Sequence, residues 1–215
     1  MKIFRAAEPP FFKNGFVVSC EDTLEAVIID PGDEVDALLR AVADSRLQVT
    51  AILLTHAHLD HVTGVGRAKA ALRAPIWLHR DDLFLYDGAV DQGRMFGLHV
   101  DPLPPVDRFY EPQARLTFGR YEIDVLSTPG HCPGGVCLAI GGKGEPAKHL
   151  FVGDTLFAGS IGRTDLPGGD YNVLIASIRN VLFPFGDDAV VHSGHGPDTT
   201  IGRERRTNPF LAALA

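Results

Sequence analysis

Cysteine is scarce in this chain of 215 residues, which contains only Cys20, Cys132 and Cys137. An odd and sparse set of cysteines does not indicate a disulfide framework. We therefore expect free thiols and a protein that works in a reducing compartment.

Positive charge and long apolar runs are also lacking. Lysine and arginine together number 20 against 27 acidic residues, a formal net charge of −7, which is not the basic footprint of a general nucleic-acid binder. No stretch approaches the roughly 20 apolar residues of a membrane helix. The first residues carry no apolar segment followed by a small-residue cleavage site. We expect a cytoplasmic protein without nucleic-acid or membrane partners.

The length and the overall composition are those of an ordinary globular protein. Hydrophobic residues make up 45% and charged residues 22% of the 215 positions. A chain of this size can bury one sizeable core, and no repeat or low-complexity linker divides it. We expect a single domain over residues 1–215.

The most informative segment is Thr55–His61, which reads Thr-His-Ala-His-Leu-Asp-His directly after the apolar run Ala-Ile-Leu-Leu. Imidazole nitrogens and carboxylate oxygens are natural ligands of Zn²⁺ and other first-row divalent ions. A loop at the end of a strand can direct His56 and His58 to one side and Asp60 and His61 to the other, which suits two adjacent metal ions. A polar loop with chance histidines is the alternative, and the rarity of histidine disfavours it.

The sequence predicts eight strands and three helices. Runs rich in apolar and β-branched residues predict strands, and apolar residues at helical spacing predict helices, the first of them capped by Asp33. The predicted strands cover residues 16–20, 24–30, 49–54, 76–79, 121–126, 136–140, 149–152 and 189–192, and the predicted helices cover about 35–42, 64–72 and 171–182. Residues 80–114 are expected to be irregular, as a lid, a binding loop or a solvated excursion.

Three further candidate ligands follow predicted strands or lie in the linker between two of them. They are His131 in a Pro-Gly-His sequence, Asp154 in Gly-Asp-Thr and His195 in Gly-His-Gly. Each alone is more often a capping or turn residue. Loops at one end of a sheet can converge on one place, so we expect these residues to join the histidine loop in one site.

These four motifs together resemble the metallo-β-lactamase superfamily, over roughly residues 14–210. The resemblance implies an α/β protein of the αββα sandwich type with two metal ions at the sheet edge. It further implies that His56, His58 and His131 hold one ion, that Asp60, His61 and His195 hold the other, and that Asp154 bridges them. Two zinc ions per chain are expected, although these ligand types also accept iron or manganese.

The chemistry implied is hydrolysis. Two adjacent cations lower the pKa of a bridging water to supply hydroxide, and they polarise a carbonyl group. Asp60 is the expected catalytic residue, because it could orient that hydroxide and shuttle its proton. Asp30 is a candidate for holding a ligand imidazole, but a strand-end turn residue is an equally good interpretation.

Two longer segments, residues 153–165 and 194–210, resemble the glyoxalase II-like hydrolases of the short single-domain type. The implied function is cleavage of a thioester such as S-lactoylglutathione. The Gly-Arg-Thr-Asp stretch also resembles the persulfide dioxygenases, so a mononuclear iron sulfur oxidoreductase is the alternative. The aspartate at position 154 argues against a true β-lactamase. A metal-binding protein without turnover is disfavoured by the complete ligand set.

The substrate contacts are less defined. Full glyoxalase II enzymes carry a C-terminal helical domain with basic residues that bind glutathione, and we expect no such binding element here. Arg163 either contacts a substrate carboxylate or pairs with Asp165, and we favour the pairing. The expected substrate is a small-molecule thioester or thiol derivative, a glutathione conjugate included. Residues 80–114 are expected to shape its pocket, with aromatic side chains in the core rather than in contact with it, namely Phe84, Tyr86 and Phe96.

Overall fold

The computed structural model describes residues 1–111 and 115–211, which form two compact units. The first unit comprises Met1–Tyr110 and Phe118–Arg120. The second comprises the described residues of Glu111–Thr117 and Tyr121–Ala215. The expectation of a single domain over residues 1–215 stays a prediction.

The first unit is built on a six-stranded sheet with helices between its parallel strands. Its strands are β1 (Lys2–Glu8), β2 (Lys13–Ser19), β3 (Glu25–Ile29), β4 (Gln48–Leu53), β5 (Ile76–Leu78) and β6 (Arg108–Phe109), in that spatial order. The pairs from β1 to β3 are antiparallel, and those from β3 to β6 are parallel. Its helices are α1 (Val35–Asp44), α2 (Leu59–Val62), α3 (Val65–Leu72), α4 (Leu83–Asp87) and α5 (Ala89–Met95).

Helix α1 packs against the sheet through the apolar face that its sequence pattern predicts. Its buried residues Val35, Leu38 and Val42 recur at helical spacing, and Leu38 and Val42 pack with Val17 of β2 in one apolar cluster. The predicted apolar face is confirmed. The predicted cap is wrong, because the helix begins after Glu34 without a side-chain cap and Asp33 accepts a hydrogen bond from Thr63 Oγ1 at 2.9 Å instead.

The expectation of an irregular segment over residues 80–114 is wrong in its first half. Helices α4 and α5 lie there, and both pack against α2. Helices of five and seven residues are too short for a readable apolar period and depend on tertiary contacts. Tyr86 is buried as expected and donates a hydrogen bond to the carbonyl of Pro104 at 2.8 Å, but Phe84 and Phe96 are 53% and 68% exposed.

The second unit contains another six-stranded sheet and a small hairpin. Its strands are β7 (Arg115–Phe118, whose last residue is counted with the first unit), β8 (Tyr121–Ser127), β9 (Val136–Gly142), β10 (His149–Gly153), β11 (Leu156–Phe157), β12 (Ser160–Ile161), β13 (Val190–Ser193) and β14 (Thr199–Thr200). The sheet order is β14-β13-β10-β9-β8-β7, and β11 pairs with β12. Its helices are α6 (Tyr171–Ser177), which continues as a π-helical turn over Ile178–Leu182, and α7 (Ile201–Thr207).

Strands β10 and β13 are parallel neighbours, so their carboxyl ends lie at the same edge of the sheet. Gly194 N donates a hydrogen bond to Gly153 O at 2.8 Å across these ends. The residues that follow the two strands, Asp154 and His195, are therefore brought together. Helix α6 covers one face of this sheet, where Leu174 packs in the same apolar cluster as the β10 and β13 side chains.

Among the described residues, no helix has both the length and the apolar character that crossing a bilayer requires.

A buried ion pair fixes the turn between β3 and α1. Lys13 Nζ donates to Glu34 Oε1 at 2.7 Å and to the carbonyl oxygen of Asp30, and both charged side chains are only 1% exposed. Glu34 Oε1 also accepts from Gly32 N at 2.9 Å. A Cβ added to Gly15 would lie 2.0 Å from Glu34 Oε1, so glycine is required beside the pair.

We predict that Lys13→Met destabilises the protein by about 3–5 kcal/mol, because it leaves Glu34 buried without its cation. Urea denaturation measures the change in the free energy of unfolding. Lys148→Met breaks the exposed pair with Asp188 and serves as the control, with an expected cost of about 0–1 kcal/mol. Equal effects of the two substitutions would contradict the prediction.

Candidate metal centre

The histidine loop of the first unit follows β4 and runs into α2. His58 is the N-cap residue of α2, and Asp60 and His61 lie within the helix. The ring centroid of His56 lies 4.0 Å from that of His61 and 4.9 Å from that of His58. His56 and His61 are buried, whereas His58 and Asp60 are partly exposed. Four potential ligands are thus gathered on one turn of chain.

Asp30 holds two of these imidazoles in one orientation. Its Oδ2 accepts from His61 Nδ1 at 3.0 Å and from Thr55 Oγ1 at 2.6 Å, and its Oδ1 accepts from Thr55 N at 2.7 Å. Because the Thr55 hydroxyl donates to Asp30, its oxygen accepts from His56 Nδ1 at 3.1 Å. Both histidines then donate from Nδ1, so in the neutral, metal-binding form the lone pair is on Nε2.

The sequence allowed two equal interpretations of Asp30, as the support of a ligand imidazole or as a strand-end turn residue. The contacts of its side chain match the support of an imidazole. Burial raises the pKa of the Tyr110 hydroxyl well above its ordinary value, and the nearby Asp30 carboxylate adds to the rise. The phenol is therefore neutral beside Asp30.

Asp82 is a residue of this site that the sequence analysis missed. It is fully buried, and its Oδ2 accepts from Ala57 N at 3.1 Å, between the two histidines of the loop. The sequence around it reads as a polar turn in a segment expected to be irregular, and no local pattern marked it. Its carboxylate fixes the backbone from which His56 and His58 project.

The second unit brings His131, Asp154 and His195 together. His131 Nδ1 lies 2.7 Å from Arg163 O, and since a carbonyl only accepts, His131 carries its proton on Nδ1 and presents Nε2. Asp154 Oδ2 lies 3.8 Å from His131 Nε2 and 3.6 Å from His195 Nε2. These separations are too long for hydrogen bonds and close to the separation of about 3.4 Å between two ligands of one tetrahedral ion.

Glycines shape the segments around His131 and Asp154. Gly130 has φ +127°, and a Cβ there would lie 2.2 Å from Leu174 N at the neighbouring helix. A Cβ on Gly162 would lie 1.8 Å from Asp154 O. The glycine of the Pro-Gly-His motif is therefore needed for close packing immediately before the histidine.

Arg163 pairs with Asp165. Its Nε and Nη2 donate to the two carboxylate oxygens of Asp165, each at 2.7 Å, and both side chains are exposed. The guanidinium lowers the pKa of Asp165 to about 2. This is the pairing that the sequence analysis favoured, and a substrate contact by Arg163 stays a prediction.

The donor sets in the two units fit divalent metal ions. His56, His61 and His131 each have Nδ1 engaged by an oxygen acceptor, which leaves Nε2 as the ligand atom. Nitrogen and carboxylate donors suit zinc, iron and manganese.

A sequence model of the family described as Metallo-beta-lactamase superfamily matches residues 9–195. Hydroxyacylglutathione hydrolase GloC of Haemophilus influenzae is 41% identical over 194 residues, 89% of each chain. The probable metallo-hydrolase YqgX of Bacillus subtilis is 34% identical over 213 residues, 98% of each chain.

Solved structures are similar over nearly the whole chain. The BLEG-1 B3 metallo-beta-lactamase is 40% identical with a TM-score of 0.87, covering 98% of this chain and 99% of that one. TTHA1623 in a di-iron-bound form is 43% identical with a TM-score of 0.85, covering 97% and 100%. ETHE1 from Myxococcus xanthus is more distant, at 25% identity and a TM-score of 0.81, covering 100% and 86%.

These matches confirm the fold class expected from the sequence, an α/β protein of the metallo-β-lactamase type with helices beside its sheets. The family match spans most of the chain, and the relatives are similar over nearly their full lengths. The chain therefore belongs to the metallo-β-lactamase superfamily.

Proposed function

We propose that the protein is a dinuclear metal-dependent hydrolase that cleaves a small-molecule thioester, S-lactoylglutathione or a related hydroxyacyl conjugate. The observation that carries the proposal is the orientation of His56, His61 and His131, each with Nδ1 engaged by an oxygen and Nε2 left to bind metal. The similarity to GloC, a hydroxyacylglutathione hydrolase by name, supports the substrate class.

The proposed ligand assignment follows the family resemblance. His56, His58 and His131 would hold one ion, and Asp60, His61 and His195 the other. Asp154 would bridge the two ions, a role supported by the similar distances of its Oδ2 from His131 and His195. We propose zinc as the resident metal, with iron as the alternative that the di-iron form of TTHA1623 supports.

Bound divalent ions at this centre would lower the pKa of a water and stabilise negative charge on a carbonyl oxygen. In hydrolysis of a thioester, a bond forms between the water oxygen and the acyl carbon while the carbon–sulfur bond breaks. We assign to the Asp60 carboxylate the uptake of the water proton and its delivery to the departing sulfur. Asp60 is partly exposed at the start of α2, so its oxygens are accessible for this transfer.

The Asp30–Thr55 hydrogen bonds would contribute by fixing the ring orientation and the donor nitrogen of His56 and His61. An imidazole with its proton held on Nδ1 cannot turn its other nitrogen away from the metal. The exposed Arg163 is the proposed contact for a substrate carboxylate, which would have to compete with Asp165 for the guanidinium.

A persulfide dioxygenase is the second candidate. The observation in its favour is the stretch Gly162–Asp165, which resembles that family as well as the glyoxalase II-like hydrolases. Such an enzyme would hold one iron and consume oxygen, so metal content and oxygen uptake separate it from the hydrolase.

We predict that Asp60→Ala lowers kcat/KM for S-lactoylglutathione by at least about 100-fold, because the proton acceptor and one metal ligand are lost. The assay follows the thiol released by metal-loaded enzyme. Asp36→Asn, which alters an exposed pair with Arg67, is the control and should stay within about twofold of the parent.

The same preparation distinguishes the competing activities. Thioester turnover by the parent at the level of Asp60→Ala would refute the thioesterase assignment. Oxygen uptake with a persulfide and one iron per chain would then support the dioxygenase. Hydrolysis of a β-lactam is assayed in parallel, since BLEG-1 is named as a B3 metallo-beta-lactamase.

We predict that Thr55→Val weakens the affinity for one of the two metal ions by about 10–100-fold, whereas Thr55→Ser does not. Valine keeps the shape but removes the hydroxyl that links His56 to Asp30, and serine restores it. Competition with a chromophoric chelator measures each affinity. Indistinguishable metal binding by the valine and serine variants would show that this hydroxyl does not orient His56.

A further inference from the structure

A buried carboxyl group on α7 lies outside the proposed ligand set. Glu204 is fully buried, and its Oε1 accepts from Thr199 Oγ1 at 2.5 Å. Its Oε2 accepts from Gly159 N at 2.8 Å and from Asn208 Nδ2 at 2.9 Å. A charged side chain with no exposure is costly unless its acceptors are satisfied, and here each oxygen has a donor.

Asn208 makes the second attachment to the same place. It is also fully buried, and its Nδ2 donates to Ser160 O at 2.9 Å. Glu204 and Asn208 therefore hold two consecutive residues, Gly159 in the turn between β11 and β12 and Ser160 at the start of β12. We refer to Glu204 and Asn208 as the hairpin clamp.

The segment that the clamp holds touches each ligand of the second unit. It begins immediately after Asp154. The ring of Phe157 in β11 meets His195 edge to face, with centroids 6.0 Å apart and an interplanar angle of 89°. The segment ends at Arg163, whose carbonyl oxygen holds His131 Nδ1 at 2.7 Å.

The two ends of the segment, near Asp154 and Gly162, are packed closely against each other. A Cβ on Gly162 would lie 1.8 Å from Asp154 O and 3.1 Å from His131 Nδ1. A shift of the hairpin would therefore move the support of all three ligands, because no space separates its ends.

We propose that Glu204 and Asn208 are positioning residues of the metal centre, which act through the β11–β12 hairpin on His131, Asp154 and His195. The inference rests on the ligand set of the proposed function. It assigns a role to the segment Arg203–Asn208, in which Glu204 and Asn208 are buried while Arg205 and Arg206 contact Phe183 O and Asp187.

The test uses three substitutions on α7. Glu204→Leu removes both acceptors at similar volume. Glu204→Gln keeps an oxygen for Gly159 N and Asn208 Nδ2 and turns its amide toward the Thr199 hydroxyl, which can accept. Arg206→Ala breaks only an exposed pair with Asp187 at 2.9 Å.

Purified apo-protein is titrated with Zn²⁺ against a chromophoric chelator and with Co²⁺ by visible absorption. The parent should bind two ions. Glu204→Leu should bind at least one ion about 10–100-fold more weakly, with an altered Co²⁺ spectrum. Glu204→Gln and Arg206→Ala should resemble the parent in affinity and in spectrum.

A double-mutant cycle separates action through the hairpin from simple support of α7. Phe157→Ala alone should also weaken metal binding, and the effects of Phe157→Ala and Glu204→Leu together should be less than additive, because both act on one hairpin. Additive effects would overturn the proposed route. If Glu204→Leu fails to fold, Asn208→Ala replaces it throughout, since that substitution removes the Ser160 bond and one donor to Glu204 and otherwise only the acceptor of Phe210 N.

A lower melting temperature for Glu204→Leu with both metal affinities within about twofold of the parent would overturn the inference and leave the clamp purely structural. Fewer than two ions bound by the parent would overturn the ligand set itself, and this inference with it. The two failures are distinguishable because only the second appears in the unmutated protein.

Discussion

One buried carboxylate, that of Asp30, is the constraint on which the histidine loop of the first unit depends. It accepts a hydrogen bond directly from the His61 imidazole and is linked to the His56 imidazole through the Thr55 hydroxyl. Because an ionised carboxylate only accepts hydrogen bonds, Thr55 Oγ1 and His61 Nδ1 must donate to it, and His56 Nδ1 must donate to the Thr55 oxygen. The Lys13–Glu34 pair then holds the backbone of Asp30 and the turn that follows it.

The second unit orients its ligands by a different means. A backbone carbonyl, that of Arg163, takes the place of a carboxylate as the acceptor for His131. A carbonyl cannot change its protonation state, but its position depends on the path of the chain that carries it. That path is set by the hairpin and by the buried contacts of Glu204 on α7 and of Asn208, which follows that helix. This explains why a buried acid and amide lie far along the chain from His131 and Asp154.

Eight of the strands and the longer helices were predictable because their signal is local, whereas β1, β6, β7, β11, β12 and β14 were not predicted. Neighbouring residues alone reveal the apolar runs of β2, β3 and β4 and the helical spacing of Val35, Leu38 and Val42 in α1. Helices α4 and α5 were missed, since each is too short to show a period and is stabilised by packing on α2. Asp33 was misassigned as a cap because its side chain has a competing partner, Thr63, 30 residues away.

The sequence by itself determined which types of donor the candidate site contains. The motifs at His56–His61, His131, Asp154 and His195 identified the family and the type of donors. Only the tertiary structure decided which residues hold those donors in place. Asp30 and His61 are 31 positions apart, Ala57 and Asp82 are 25 apart, and Gly159 and Glu204 are 45 apart. A hydrogen bond over such a separation leaves no periodicity in the chain, because it depends on how the elements pack rather than on the residues beside it.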